Sequence, residues 1–172
     1  QEPYRPDLED LYRLHRFIIE NKRITVMEFG SGWSTMVMAH ALRMNAANYS
    51  EQVKRLRRND PFKIFSIENE DRFLEISKNR IDKNLKDFIS FSCSEVHMST
   101  FNGRICTKYS NIPLTSPDFI YLDGPDQFNI KGDISGWTTK HKDMMPMASD
   151  ILSIEHFLTP GTIIVVDGRA AN

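Results

Sequence analysis

The sequence predicts an α/β fold built on a doubly wound, mostly parallel sheet, and three observations carry that expectation. Short β-branched runs alternate with stretches of helical apolar spacing along the chain. Most of the strand runs are continuously apolar, as in strands covered on both faces. The clearest of them stop at turns rich in glycine or aspartate: Gly30-Ser31-Gly32, Asp123-Gly124-Pro125 and Asp167-Gly168. In open sheets of this kind ligands bind beyond the carboxyl ends of the strands, where strand order reverses. The residues just after each strand are therefore the ones to inspect.

Residues 7–21 read as an amphipathic helix, because Leu8, Leu11, Leu14, Phe17 and Ile18 recur at helical spacing behind a Pro6-Asp7 start. A short apolar strand follows at 24–29, then a helix over 34–47. A second helical stretch at 51–58 carries Lys54, Arg55, Arg57 and Arg58, a run that reads as a solvated face. The next strand is 63–67, and a helix at 70–81 has Asn69 as its candidate N-cap. Residues 88–93 form a third strand, with Cys93 as a small core residue. Asn102-Gly103 between β-prone flanks suggests an inserted hairpin, since that pair suits a tight turn with positive φ. A fourth strand at 118–122 is followed by irregular chain to about residue 148. A helix over 150–158, capped by Ser149, leads through Pro160-Gly161 into a fifth, fully apolar strand at 162–166. The whole chain, 1–172, reads as a single domain.

Composition removes several classes of function. A net charge of -1 gives no global attraction to nucleic acid or an anionic membrane. No apolar run approaches the ~20 residues of a membrane helix, and the polar, acidic start is not a signal peptide. The 2 cysteines, Cys93 and Cys106, lack zinc-ligand spacing and are too few for a disulfide framework. A reduced, cytoplasmic setting is the expectation.

The first strand ends E-F-G-S-G-W-S-T, residues 28–35. Gly30 and Gly32 permit a sharp turn and close approach of a ligand to the backbone. The helix that follows offers N–H groups to an anion. A dinucleotide fingerprint would need glycine where Thr35 stands. Glu28, near the turn, suits a ligand with a positive amino group better than a pyrophosphate. The second strand ends S-I-E-N, and Glu68 at its tip is placed to accept the hydroxyls of a ribose. These features alone leave NAD and S-adenosylmethionine both open as nucleoside ligands.

With D-F-I-Y-L-D-G-P at 118–125 and G-T-I-I-V-V-D-G at 161–168, the ordered set resembles the class I S-adenosylmethionine-dependent methyltransferases, over residues 24–167. The resemblance implies a Rossmann-like methyltransferase fold. It implies that Glu28 and the backbone of Gly30, Ser31 and Gly32 hold the methionine part, and that Glu68 binds the ribose. Ser94 and Glu95 would lie near adenine, and Asp123 beside the transferred methyl. Ser34 stands where the family often has a third glycine. The activity implied is methyl transfer to a small-molecule acceptor, with oxygen as the candidate atom.

On the acceptor side, His141 is a candidate general base, or simply a solvated loop histidine. Asp123, Asp126, Asp167 and Arg169 lie at strand ends or in the long loop, and Phe128 and Trp137 either line a pocket or anchor the loop. Residues 124–147 are expected to shape the acceptor site. Asp123 and Asp167 resemble the magnesium ligands of catechol-type O-methyltransferases. The third ligand of that set would be the next residue, and Gly168 has no side chain to supply it. Asp167 with Arg169 also reads as a turn held by an ion pair. Two other functions stay open: a NAD-binding oxidoreductase, and a non-catalytic nucleoside-binding domain.

The resemblance also implies seven strands, and only five are found before Asn172. The expected sheet order is 3-2-1-4-5, with the fifth strand at an open edge. Such an edge invites pairing. The expectations are therefore continuation of the chain beyond Asn172, or a homo-oligomer formed through that strand.

Overall fold

The computed structural model describes residues 5–167. Helix α1 (Leu8–Glu20) starts where the Asp7 carboxylate accepts hydrogen bonds from the Glu9 and Asp10 amides, and it buries Leu14 and Ile18. Strand β1 (Thr25–Phe29), helix α2 (Trp33–Val53), strand β2 (Lys63–Glu68), helix α3 (Asp71–Arg80) and strand β3 (Ile89–Cys93) follow. Strands β4 (Val96–Phe101) and β5 (Arg104–Tyr109) form the inserted hairpin. Asn102 and Gly103 both have positive φ at its turn, as that dipeptide favours. Strand β6 (Phe119–Leu122), the two-residue β7 (Ile130–Lys131), helix α4 (Asp150–Ile154) and strand β8 (Ile163–Val166) complete the described chain.

Five strands form one parallel sheet in the order β3-β2-β1-β6-β8, the order expected for the five core strands. From β1 the chain builds outward to β3, then returns to the other side of β1 for β6 and β8. The reversal lies between β1 and β6. Alternate residues of the central strands enter separate cores. Val26, Ile64, Phe119 and Tyr121 pack against α1 and α2. Met27, Phe29, Ile67 and Ile120 pack on the opposite face against Val96, Tyr109 and Ile130 of the small β5-β4-β7 sheet. A hairpin therefore covers a face that a crossover helix would otherwise cover. Helix α4 adds Ile151 and Ile154 to that side.

Five local expectations change. The helices expected at 34–47 and 51–58 are largely one element, α2, because no glycine or proline interrupts residues 48–53 and Val53 is buried at its end. The basic run follows that helix in turns, with Lys54, Arg55 and Arg57 exposed. Asn69 does not cap α3: Glu70 holds the cap position, and the Asn69 side chain instead accepts from the Asp126 amide at 2.9 Å. The helix expected over 150–158 is α4 followed by a short 3-10 turn; Ser149 holds its cap position as expected, with its hydroxyl donating to the Thr107 carbonyl. Cys93 is exposed at the end of β3, not buried. Among the described residues, strand β8 is covered on one face: Ile163 and Val165 join the α1–α2 core, while Ile164 and Val166 are about 44% and 43% exposed.

Candidate functional site

The turn after β1 is held from below by the chain itself. Gly30 has φ +92°, a conformation that side chains rarely adopt. A Cβ on it would stand 2.9 Å from the Gly124 amide nitrogen, so these two backbones touch at the strand reversal. The close approach expected of a ligand at Gly30 is thus made by Gly124. Gly32 differs. Its φ of -172° is ordinary extended backbone, and a Cβ there would meet only the Ser34 hydroxyl, at 3.8 Å. What glycine provides at 32 is open space beside the loop.

Register decides the surroundings of Glu28. It pairs with Ser66 on β2 and with Tyr121 on β6, and points to the α2 face. Its carboxyl accepts from Ser34 Oγ at 2.5 Å, Thr35 Oγ1 at 2.6 Å and Ser66 Oγ at 2.6 Å. The residue is fully buried. Burial pushes its pKa up to about 7, against the lowering effect of the three hydroxyls, and the Asp123 charge raises it further. Glu28 does not reach the cavity described below, so the expectation that it grips a ligand's amino group is corrected. It anchors the first turn of α2 to the two central strands. Ser34 borders the cavity, but its hydroxyl is committed to Glu28.

Glu68 does border the cavity. Its Oε2 accepts from the Ser31 amide at 2.8 Å and from Ser31 Oγ at 3.2 Å. Its Oε1 accepts from the Asn69 and Glu70 amides at 2.8 and 3.1 Å. Burial raises its pKa and these donors oppose the rise.

A cavity of about 370 Å³ opens over these residues, at the carboxyl ends of β1, β2, β6 and β8. Gly30, Ser31, Gly32, Glu68 and Asp123 all line it, as do Asp126, Phe128 and Asp167 among the acceptor-side candidates. The Tyr121 hydroxyl is held protonated, chiefly by burial and then by the nearby Asp123 and Asp167 charges. Sequence reading missed two further walls. One is the start of α1, with Asp10 and Leu11. The other is the face of α3 formed by Phe73, Ile76, Ser77 and Arg80, whose guanidinium lies 3.9 Å from the centroid of the Trp33 ring. The spacing 73, 76, 77, 80 marks one helical face and was a legible signal for a shared surface.

Four further candidates fall outside the cavity. The Ser94 hydroxyl is buried and accepts from the Asn111 amide at 2.9 Å. Glu95 is exposed, 3.4 Å from His97. Both are carried away because the chain turns at once into the hairpin on the opposite face. His141 is exposed on the long loop, where its Nδ1 accepts from the Asp143 amide at 3.2 Å, so it reaches neither cavity nor strand ends. Trp137 is likewise exposed and does not line the cavity. Gly168 and Arg169, considered as metal and ion-pair positions, lie outside the described residues. Among the described residues no group of three or more histidine, cysteine, aspartate or glutamate side chains is arranged to hold a metal.

No protein-family model matches the sequence. No curated protein matches it either. The structure is similar to that of an O-methyltransferase from Bacillus cereus, solved in complex with SAH, with a TM-score of 0.55 and 16% sequence identity. The similarity covers 96% of this chain and 59% of that one, so the chain spans about three-fifths of the length of this relative. The chain shares with that protein a Rossmann-like α/β fold on a mostly parallel sheet. Among the described residues, no helix is long and apolar enough to cross a membrane.

Proposed function

We propose that the chain binds S-adenosylmethionine over the loop at 30–32 and transfers its methyl group to a small-molecule acceptor, with oxygen as the candidate atom. The observation that carries this reading is convergence. The backbone of Ser31 and Gly32, the Glu68 carboxylate and the Asp123 carboxylate come from three different strand ends and line one cavity beside the strand reversal. These residues fit such a cofactor: Gly32 leaves room beside the loop, α2 begins there, and Glu68 stands at the rim as a ribose acceptor. The SAH complex of the Bacillus cereus relative supports the same ligand class.

The cofactor supplies a sulfonium-activated methyl group open to in-line displacement. The protein's part is alignment, and removal of a proton where the acceptor is a hydroxyl. Asp123, at the end of β6, is the cavity carboxylate we assign to accept that proton on its side-chain oxygen. Tyr121 also lines the cavity, and its hydroxyl stays protonated, chiefly because of burial. No step is assigned to His141 or to a metal.

Calorimetry tests the reading. Micromolar-range binding of SAH with much weaker binding of NAD is expected, and the reverse preference would overturn it. Asp123→Asn is expected to lower methyl transfer, assayed over a panel of acceptors, more than it lowers SAH affinity. Equal losses would move Asp123 from the acceptor to the cofactor.

A further inference from the structure

Glu68 is already fully engaged by its own chain. A carboxylate offers about four lone-pair sites, and four donors occupy them: the Ser31, Asn69 and Glu70 amides and the Ser31 hydroxyl. The three amides are fixed by the fold, two of them in the turn that starts α3. The hydroxyl is different in kind. At 3.2 Å it makes the longest of the four bonds, and it is the one donor carried on a rotatable side chain. Ser31 is half-buried and borders the cavity, so a change of χ1 can free the carboxylate without moving the loop backbone.

We infer that the Ser31 hydroxyl is a latch on Glu68, displaced by a ribose hydroxyl when a nucleoside ligand binds, and that it limits affinity for such ligands without being one of their contacts. This rests on the reading of Glu68 as the ribose acceptor. The exchange replaces one hydroxyl-to-carboxylate bond by another, so the ribose gains less from Glu68 than an unoccupied carboxylate would give. The latch has a use when the site is empty. It satisfies a buried charge that would otherwise face a cavity with one donor missing. It also ties the glycine loop to β2 through a side chain as well as a backbone amide. A ligand with no ribose hydroxyls has nothing to exchange for the latch, so Ser31 does not affect its binding.

The test compares wild type, Ser31→Ala and Ser31→Thr by calorimetry with two probes, SAH and its 2′,3′-dideoxy analogue. Ser31→Ala keeps the loop amide and removes the latch. It is expected to bind SAH roughly three- to tenfold more tightly, the range of one ordinary hydrogen bond, and to bind the dideoxy analogue with unchanged affinity. Ser31→Thr restores a hydroxyl and is expected to return SAH affinity to the wild-type value. Weaker SAH binding by Ser31→Ala would show the hydroxyl to be a ligand contact and overturn the latch. An equal gain for both probes would assign the effect to loop packing and overturn it as well, as would no change. If wild type binds SAH and Ser31→Ala is unaltered, the latch alone fails. If wild type does not bind SAH, the cofactor reading fails and takes the latch with it.

Discussion

The two sides of the glycine loop use similar residues to opposite ends. On the inner side, Gly30 presses against Gly124 and Glu28 is sealed among three hydroxyls. On the outer side, Gly32 leaves space and Glu68 meets the cavity. Each side has a glycine and a strand-end glutamate, and in both glutamates burial raises the pKa. What separates them is the source of the donors. Side-chain hydroxyls from α2 and β2 enclose Glu28 and bind elements together. Mostly backbone amides at a loop rim hold Glu68 and leave it within reach of a ligand. A buried carboxylate near a glycine turn is therefore not by itself a ligand residue, and the identity of its donors decides the matter.

The largest effect that would sharpen this contrast is expected from Gly30→Ala. It combines an unfavourable φ with a backbone clash against Gly124, at a cost of roughly 2–5 kcal/mol, measured by urea denaturation. A stability close to wild type would show that the strand reversal is loosely packed and that the inner side has no special rigidity. Next comes Glu28→Ala, which leaves three buried hydroxyls without their acceptor and is expected to destabilise by roughly 2–4 kcal/mol. SAH affinity of the protein that remains folded should change little. A large selective loss of affinity would return Glu28 to the ligand and erase the distinction.

Glu68→Ala should show the mirror image. Ser31, whose amide is one of its donors, borders the cavity, so that amide can turn to water and stability falls less than in Glu28→Ala. The lost ribose contact, a single bond made in exchange for the Ser31 hydroxyl, should weaken SAH binding roughly three- to tenfold. An unchanged dissociation constant would show that Glu68 serves the loop alone.

The most gradual expected effect is a pH slope. The Glu28 pKa lies at about 7 in the folded chain, above its ordinary 4.5, so the folded state holds the proton more tightly. Its contribution is fully present below about pH 4.5 and is lost as pH rises through about 7, on the order of 3 kcal/mol in all. Glu68 and Asp118, also raised, act in the same direction. Wild type should therefore be less stable at pH 8 than at pH 5, and Glu28→Gln should flatten the curve. A slope left intact in Glu28→Gln would place the titration elsewhere.

From the sequence alone came the parallel sheet, whose order the family resemblance implied, the hairpin turn at Asn102-Gly103 and the placing of Gly32, Glu68, Asp123 and Asp167 at the carboxyl edge, where they line one cavity. These follow from local chemistry. Apolar runs identify strands, turn residues end them, and in a parallel sheet strand ends converge on one edge. The tertiary structure decided everything that depends on which face a residue meets. Glu28 lies on the α2 face of β1, where register brings Ser66 alongside and helix entry brings Ser34 and Thr35, and no motif records that meeting. Ser94 and Glu95 follow a strand end, yet the hairpin leads them away from the site. His141 lies in a loop whose path is set by contacts far along the chain, such as Gln127 to the His141 carbonyl at 2.9 Å. The α1 and α3 walls are helix faces that become a cavity only when packed beside Trp33. Spacing along a chain specifies which residues share a face, but the partner of that face is chosen by long-range packing.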